Sequence, residues 1–195
     1  MMPMRKLYWN FRQWQTRRKL MRLEPKMISN YQLNGEIIHF TRVSSSTVIS
    51  EKAHLKLAGY VFIGHYNFIE ASNGIQIDEG VQITNYISIL THSSHVSIRL
   101  YGKAYVAENN LIGYKKGAVH IGAYSFIGPH STIMPGTNIG KGCIVAAYSS
   151  VKGDFPDFSI IAGNPAVIVG DTRKMDEPFL MEYPDLQNHY NSWAK

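Results

Sequence analysis

The feature that most constrains this fold is a strict six-residue period that begins at residue 121. Read in sixes, the sequence is IGAYSF, IGPHST, IMPGTN, IGKGCI, VAAYSS and VKGDFP. An aliphatic residue in all six first positions has a chance probability on the order of 10⁻⁴. An amphipathic helix needs spacings of three and four, and an alternating strand needs two, so this period predicts short strands joined by tight turns. The aligned residues are Ile121, Ile127, Ile133, Ile139, Val145 and Val151.

The column continues upstream in a less regular form, so the repeat covers roughly residues 57–151, with a two-residue slip at Asn73 and Gly74. If each hexapeptide forms one side of a triangular coil, the aliphatic side chains stack inside and the coils rise by about 4.8 Å. Glycine often follows the aliphatic residue, which we expect to relieve turns with positive φ. Compact side chains four residues after the aliphatic should fill the corners; they are Asn67, Asn73, Ser125, Ser131, Thr137, Cys143 and Ser149.

Composition limits the class of protein. A chain of 195 residues with 45% hydrophobic content is long enough for one domain with a real core. The single cysteine, Cys143, cannot form an intrachain disulfide, and no apolar stretch reaches 18 residues, so we expect a cytoplasmic protein. The net charge is +6, but residues 1–26 hold eight Lys and Arg against one Glu. The rest of the chain is close to neutral, which disfavours a nucleic-acid-binding body.

Two local motifs indicate a family. The segment Ile89-Leu90-Thr91-His92-Ser93-Ser94-His95 precedes a break of about 25 residues in the period, and the last repeats close on Ala162-Gly163-Asn164-Pro165-Ala166. With these motifs the chain resembles the hexapeptide-repeat acyltransferases, in the branch of maltose, galactoside and polysaccharide O-acetyltransferases. The resemblance covers about residues 57–170. It implies an all-β solenoid, a left-handed parallel β-helix, and the handedness comes from the resemblance alone.

The resemblance also implies an enzyme that moves an acetyl group from acetyl-CoA to a hydroxyl of a sugar or polysaccharide. In that branch a histidine at the start of the excursion is the base, and neutral imidazole suits this role near pH 7. His92 and His95 both fit. We favour His92 because it directly ends the strand that holds Ile89 and is therefore more rigidly placed. No metal is expected, since the thioester is already activated.

For acetyl-CoA, the family uses small residues of the last coils and a basic residue near the phosphates. Phe126 and Val167 depart from the family, which often has tryptophan and a basic residue at these positions. Phosphate binding is therefore expected at Lys152, about two coil spacings from Ile89, or at Arg173 and Lys174. By position, the groove residues are Pro129, Ala147, Lys152 and Ala162.

The chain divides into a basic, helical segment 1–30, a β-helix 31–170 with an excursion loop 93–118, and a helical cap 171–195. The excursion is long enough to be an acceptor-binding flap, and its aromatic and cationic residues suit a sugar or a sugar phosphate. In the N-terminal segment, Leu7, Phe11 and Trp14 share one helical face among arginines. Such a helix can lie on an anionic membrane surface, which here would be the inner membrane face. Alternatively, it can dock on a protein surface, either its own β-helix or a neighbouring subunit. The resemblance implies a homotrimer whose adjacent subunits enclose each active site.

Three other functions stay open. The acceptor could be the amine of an amino sugar, which would make the protein an N-acetyltransferase. A catalytically silent β-helix scaffold would make the Thr-His-x-x-His loop incidental. A zinc enzyme of the γ-carbonic anhydrase type uses the same solenoid, with His92 and His95 as two of its ligands. The wide ligand spacing of that family is absent here.

Overall fold

The chain is built mainly from strands of two or three residues, and the computed structural model describes residues 4–195. The helices are α1 (Met4–Leu23), α2 (Ser97–Tyr101), α3 (Thr172–Glu182) and α4 (Gln187–Ala194), with 3₁₀ turns at Lys52–His54, Gly102–Ala107 and Pro184–Leu186. The strands are β1 (Met27–Ser29), β2 (Gln32–Leu33), β3 (Glu36–Ile37), β4 (Arg42–Ser44), β5 (Val48–Ser50), β6 (Leu55–Leu57), β7 (Phe62–Ile63), β8 (Phe68–Glu70), β9 (Ile75–Ile77), β10 (Gln82–Ile83), β11 (Ser88–Ile89), β12 (His92–Ser93), β13 (Lys115–Lys116), β14 (Val119–Ile121), β15 (Phe126–Ile127), β16 (Thr132–Ile133), β17 (Asn138–Ile139), β18 (Ile144–Val145), β19 (Ser150–Val151), β20 (Asp154–Phe155), β21 (Ser159–Gly163) and β22 (Ala166–Asp171).

Most strands stack into three parallel faces that the chain visits in turn. The first face has the order β1-β4-β7-β10-β15-β18-β21-β22, the second β5-β8-β11-β16-β19 and the third β6-β9-β14-β17-β20. Consecutive strands such as β7, β8 and β9 lie on different faces, so three strands make one coil of a three-sided solenoid. At the two ends of the first face, β1 and β22 run antiparallel to their neighbours. The predicted architecture of mainly parallel sheets with helices at the termini is confirmed.

The aliphatic column forms the core. On the first face Ile83 pairs with Ile127 and Ile127 with Val145, so that equivalent residues of successive coils stack. All six aliphatic residues aligned from residue 121 to 151 are completely buried. Six of the seven compact corner residues are buried as well, and Asn73 is partly exposed. Hydroxyls of this set bond to the next coil: Ser125 Oγ donates to the Gly140 carbonyl at 2.8 Å. A buried hydroxyl needs such an acceptor because an unpaired one is costly.

The glycines that follow the aliphatic residues have a different role from the predicted one. At Gly128 a Cβ atom would lie 2.7 Å from the backbone nitrogen of Ala147 in the next coil. The positive φ of this corner falls two residues later, on His130 at 60°. Glycine is therefore needed here for close approach of the coils, and the prediction that it relieves a positive φ at this position is wrong. Instead, aromatic residues in the left-handed conformation stack from coil to coil, with ring centroids 4.8 to 5.2 Å apart, in the order Tyr66, Tyr86, His130 and Tyr148.

The excursion lies between β11 and β14, where the chain leaves the second face and returns to the third. It carries structure of its own: β12 and β13 form an antiparallel ribbon, and α2 lies between them in sequence. In the ribbon His92 is directly opposite Lys116, and Ser93 is opposite Lys115. This ribbon fixes the start of the excursion relative to its end.

The two termini differ in how they relate to the solenoid. Every residue from 8 to 23 of α1 is exposed, so the predicted docking of this helix on its own β-helix is wrong. Phe11 and Trp14 stack on each other at 5.9 Å, while the Leu7 side chain lies outside the described residues. At the other end, Trp193 of α4 packs on Tyr124 and Phe158 at the last coils. Among the described helices, none is long and apolar enough to cross a membrane.

Candidate active site

The candidate site begins where β11 ends and the chain turns outward. Thr91 is completely buried at this turn, and His92 follows as the first residue of β12. On the preceding coil, β8 places Glu70 beside this turn, since Ile69 of β8 pairs with Ile89 of β11. The stacking of coils therefore brings together a carboxylate and an imidazole that are 22 residues apart in sequence.

Glu70 is a buried acid with a full set of donors. Its Oε2 accepts hydrogen bonds from the Thr91 hydroxyl at 2.7 Å and from the Thr91 backbone N–H at 3.1 Å. Its Oε1 accepts from the Ser72 backbone N–H at 2.8 Å. Burial by itself would raise the pKa of this carboxyl, but the hydrogen bonds from Ser72 and Thr91 outweigh it and lower the pKa to about 2. The Glu70 carboxylate is therefore ionised at neutral pH.

His92 is oriented by this carboxylate. Its Nδ1 lies 2.8 Å from Glu70 Oε2, and an ionised carboxylate can only accept, so Nδ1 carries the hydrogen. The other nitrogen, Nε2, then holds the lone pair, and among the described residues it has no hydrogen-bond partner. The ring also stacks on Tyr114 with centroids 5.5 Å apart and an interplanar angle of 11°. This arrangement holds a basic nitrogen in a fixed direction, which is the requirement for a general base.

His95 has a different environment. It is exposed, and its Nδ1 lies 2.7 Å from the Ser93 hydroxyl. Its backbone carbonyl accepts a hydrogen bond from the Arg99 guanidinium. A hydroxyl can donate or accept, so it does not select one tautomer as the carboxylate does at His92. The geometry thus separates two histidines that the sequence left as alternatives.

A cavity of about 670 Å³ lies against two residues that contact the His92 ring, although His92 itself is not among its lining residues. Ser72 and Tyr114, which contact the His92 ring, form part of its wall. The remaining wall comes from the excursion and the corner before β9, with amide, phenol, aliphatic and ammonium groups. These residues are Asn73, Tyr105, Asn109, Asn110, Leu111, Ile112 and Lys116.

The residues predicted for acetyl-CoA fall into two groups. Ile127, Val145 and Ile161 pair in register on the first face. Pro129 and Ala147 each come two residues later, at the corner between the first and second faces, whereas Ala162 directly follows Ile161 inside β21 and pairs with Val167 of β22. Lys152 follows Val151 at the opposite edge of the second face. On the second face Val151 lies two strands from Ile89, as the period predicts. Lys152 therefore lies at the same corner as Glu70 and His92, and Ala147 lies at the other corner of this face.

The two basic residues beyond the repeat begin α3. Arg173 forms an ion pair with Asp171, with Nη2 2.6 Å from Oδ2, and its guanidinium lies 5.0 Å from the centre of the Phe158 ring. Its hydrogen bond to Asp171 lowers the pKa of that carboxyl to about 2. Lys174 is exposed. Arg173 is therefore engaged within the chain, whereas Lys152 and Lys174 take part in none of the ion pairs of the described residues.

A second histidine and carboxylate pair lies on the third face. His120 Nε2 is 2.7 Å from Asp78 Oδ2, and His120 Nδ1 is 2.9 Å from Asn138 Oδ1. Within residues 4–195, no group of three or more His, Cys, Asp or Glu side chains is arranged to hold a metal ion. His92 and His95 accordingly do not form part of a three-ligand zinc set among these residues.

Sequence reasoning missed Glu70, Ser72 and Tyr114. The signal for Glu70 was its position between Ile69 and Ala71, both completely buried in the core. A charged residue in the interior of an apolar repeat is costly unless it is paired, so it marks a candidate site. Tyr114 lies in the excursion, where no period gives its register.

Comparisons with known proteins agree with this architecture. Residues 118–153 match the family model described as bacterial transferase hexapeptide (six repeats). A putative acetyltransferase of Staphylococcus aureus strain Mu50 is 42% identical over 65 residues, which are 33% of this chain and 31% of that protein. The putative acetyltransferase YvoF of Bacillus subtilis is 38% identical over 78 residues, 40% of this chain and 45% of that protein. The chain thus spans about a third to a half of the length of these relatives.

Among solved structures, the N-acyltransferase AntD from Bacillus cereus, in complex with dTDP and 3-hydroxybutyryl-CoA, aligns with a TM-score of 0.59. The alignment covers 76% of this chain and 88% of AntD at 20% identity, which indicates a shared fold. The resemblance to hexapeptide-repeat acyltransferases is confirmed, and residues 118–153 of this chain carry the hexapeptide repeat of bacterial transferases.

Proposed function

We propose that this protein is an acetyl-CoA-dependent acetyltransferase that acts on a hydroxyl of a sugar or polysaccharide, with His92 as general base. The observation that carries the proposal is the fixed His92 imidazole, held through Nδ1 by the ionised Glu70 carboxylate, beside a cavity on a hexapeptide-repeat solenoid. The putative acetyltransferases that share up to 42% identity with this chain support the same activity.

The mechanism follows from the orientation of the ring. As the acceptor oxygen attacks the thioester carbonyl, His92 Nε2 takes the hydroxyl proton. The imidazolium that forms is stabilised by the Glu70 carboxylate 2.8 Å from Nδ1. Collapse of the tetrahedral intermediate breaks the C–S bond, and the imidazolium returns the proton to the departing sulfur. The products are the acetyl ester and free CoA, and His92 is again neutral.

Acetyl-CoA is proposed to bind along the second face between its two edges. The small side chains of Pro129 and Ala147 at one corner, and of Ala162 near the end of β21, would let a ligand approach the backbone closely. Lys152, exposed at the other edge, would contact the phosphates, with Lys174 and Arg173 as the alternative. Lys152→Ala should raise the Michaelis constant for acetyl-CoA with less effect on turnover, because distant phosphate contacts contribute mainly uniform binding. An unchanged Michaelis constant would shift the phosphate site to Lys174 and Arg173.

The experiment that tests the activity is a transfer screen with acetyl-CoA and a panel of sugars and glycans, read by release of the CoA thiol. Ester and amide products are then separated by mild alkaline hydroxylamine, which cleaves an O-acetyl ester and leaves an N-acetyl amide intact. An O-acetyl product supports the proposal. An amide product favours the N-acetyltransferase alternative. The absence of thiol release with every acceptor in the panel contradicts the proposal and favours the silent scaffold.

A left-handed winding and a homotrimer complete the proposal. Both come from the resemblance to the hexapeptide-repeat acyltransferases, in which adjacent subunits enclose each site. In such an assembly, a neighbouring subunit would complete the wall of the cavity near His92. Light scattering should give three times the monomer mass of 22.1 kDa. A stable and active monomer would contradict the trimer.

Helix α1 supports a location at the cytoplasmic side of the inner membrane. Its exposed aromatic residues include Tyr8, Trp9 and Trp14, and residues 1–26 carry eight Lys and Arg against one Glu. Basic residues near an anionic surface each contribute about 1 kcal/mol to binding, and interfacial aromatics add to it. The protein should sediment with vesicles that contain anionic lipid and not with neutral vesicles. Equal sedimentation of a variant lacking residues 1–24 would contradict this role.

A further inference from the structure

The cavity near His92 is lined mainly by amide, aromatic and aliphatic side chains, with a single charged residue. Its lining combines three amides, from Asn73, Asn109 and Asn110, with two phenol rings, from Tyr105 and Tyr114. Amides donate to and accept from sugar hydroxyls, and aromatic rings pack against the C–H face of a sugar. The lining contains no Asp or Glu, and its one charged residue among the described lining residues is Lys116.

Lys116 is placed by the ribbon that carries the proposed base. It lies directly opposite His92 in the antiparallel pairing of β12 and β13. Side chains of directly opposed residues project to the same side of a ribbon, with Cβ atoms about 5 Å apart. The Lys116 ammonium lies 5.5 Å from the centre of the Tyr114 ring, and the same ring stacks on His92. The ammonium and the phenol ring therefore form one wall of the cavity, and the imidazole stacks on that phenol ring.

Lys116 is exposed, and its charge has no ion-pair partner in the part of the chain that the structure describes. None of the three ion pairs found among residues 4–195 includes it. The excursion as a whole, residues 93–118, has four Lys and Arg and a single Glu, so its field is positive. A cation in a cavity wall without a carboxylate partner favours an anionic ligand.

We propose that the acceptor is a saccharide with an anionic group, a phosphate or a carboxylate, close to the hydroxyl that is acetylated. Lys116 binds the anion, the three asparagines bind neighbouring hydroxyls, and His92 faces the hydroxyl that reacts. This inference rests on the proposed acetyltransferase function and narrows its substrate class. It excludes a neutral sugar as the preferred acceptor.

The test compares matched acceptors and matched lysines. A neutral hexoside, the same hexose as its phosphate, and the corresponding uronic acid are compared by kcat/KM in the transfer assay. A charge-assisted hydrogen bond predicts that the wild type prefers one anionic acceptor roughly 10- to 100-fold, and less at high salt. Whether phosphate or uronate is preferred identifies the anion.

Lys116→Gln should abolish the preference, mainly by raising the Michaelis constant of the anionic acceptor, so that the ratio of kcat/KM for the anionic over the neutral acceptor falls to about one. Lys116→Arg should keep the preference. Lys115→Gln is the control, because Lys115 is the next residue of the same strand, projects to the other side and does not line the cavity.

Equal use of neutral and anionic acceptors by the wild type would overturn the inference and leave the acetyltransferase assignment intact. An equal loss of the preference for the anionic acceptor in Lys116→Gln and Lys115→Gln would overturn it as well. A complete absence of transfer to all acceptors would instead overturn the proposed function, and the inference with it.

Discussion

Among the residues that the structure describes, two histidines are paired with carboxylates, and the two pairs differ in the features that a catalytic base requires. His92 contacts Glu70, whose side chain is 9% exposed, whereas His120 contacts Asp78, whose side chain is 32% exposed. Glu70 also accepts three further hydrogen bonds, from Thr91 and Ser72, which keep it ionised and in place. The carboxylate distances are nearly the same, 2.8 and 2.7 Å, so distance alone does not distinguish the pairs.

The second ring nitrogen makes the difference. At His120 both nitrogens are occupied, Nε2 by Asp78 and Nδ1 by Asn138. At His92 the carboxylate occupies Nδ1, and Nε2 has no partner among the described residues. A histidine whose two ring nitrogens are both taken by neighbouring coils supports the sheet, whereas one with a free basic nitrogen can take a proton. The comparison teaches that the whole hydrogen-bond set of the ring, rather than a nearby acid, identifies the candidate base.

Removing the two imidazoles should give the largest contrast. His92→Ala should lower turnover by roughly 10² to 10⁴, the usual contribution of a positioned acid–base group, with acetyl-CoA affinity nearly intact. His120→Ala should lower turnover less than about threefold, because its ring contacts only groups of the solenoid wall. Steady-state thiol release and calorimetric titration with acetyl-CoA measure the two quantities. Equal losses in both variants would remove the distinction between the pairs.

Neutralising the two carboxylates should give a smaller contrast in the same direction. Glu70→Gln should lower turnover by roughly 10- to 100-fold, since a neutral amide neither fixes the Nδ1–H tautomer nor stabilises the imidazolium. Asp78→Asn should leave turnover near the wild-type value. The loss in Glu70→Gln should appear in turnover rather than in the Michaelis constant for acetyl-CoA. A fully active Glu70→Gln enzyme would show that the carboxylate has no part in catalysis.

The low pKa of Glu70 also predicts a pH dependence of stability. Folding lowers this pKa from its usual 4.5 to about 2, so Glu70 stabilises the folded state above about pH 4.5 and loses this effect as the pH falls toward 2. Denaturant unfolding should therefore show that Glu70→Gln has a much lower free energy of unfolding than the wild type at pH 7. This difference should shrink as the pH falls from 4.5 to 2. Asp78→Asn retains Glu70 and should retain this part of the wild-type pH dependence. A difference in the free energy of unfolding between Glu70→Gln and the wild type that stays constant from pH 4.5 to 2 would contradict the lowered pKa.

The smallest effect is expected at the other histidine of the excursion. His95 is exposed and bonds only to the Ser93 hydroxyl through its ring, so His95→Ala should change turnover by less than about threefold. The double variant with His92→Ala should then be no worse than His92→Ala alone. An inactive His95→Ala and an active His92→Ala would exchange the roles of the two residues, while histidine general-base chemistry would survive.

The sequence predicts the solenoid well because the period is local. Each hexapeptide carries its own inward aliphatic residue, and equal side lengths then bring Ile89, Ile133 and Val151 into register. The period also places Lys152 two coils from Ile89. It does not reveal whether residues at opposite edges of one face, such as Lys152 and Ala147, contact the same ligand, so their shared groove stays a prediction.

The candidate site is less predictable because it depends on contacts between coils and on the excursion. Glu70 and His92 are 22 residues apart, and their contact follows only once β8 and β11 are paired. Lys116 and Tyr114 belong to a segment without a period, whose register is set by the β12–β13 ribbon. Histidine motifs therefore identify the candidate base, but not its carboxylate or the wall around it.

The most direct test of the central claim is the tautomer of the His92 ring, measured by long-range ¹H–¹⁵N correlation of labelled imidazoles at a pH where the ring is neutral. The account predicts Nδ1–H with an unprotonated Nε2 in the wild type, and a loss of this preference in Glu70→Gln. The His92→Ala spectrum assigns the signals. A wild-type ring with the proton on Nε2 would contradict the claim that Glu70 holds His92 ready to accept a proton.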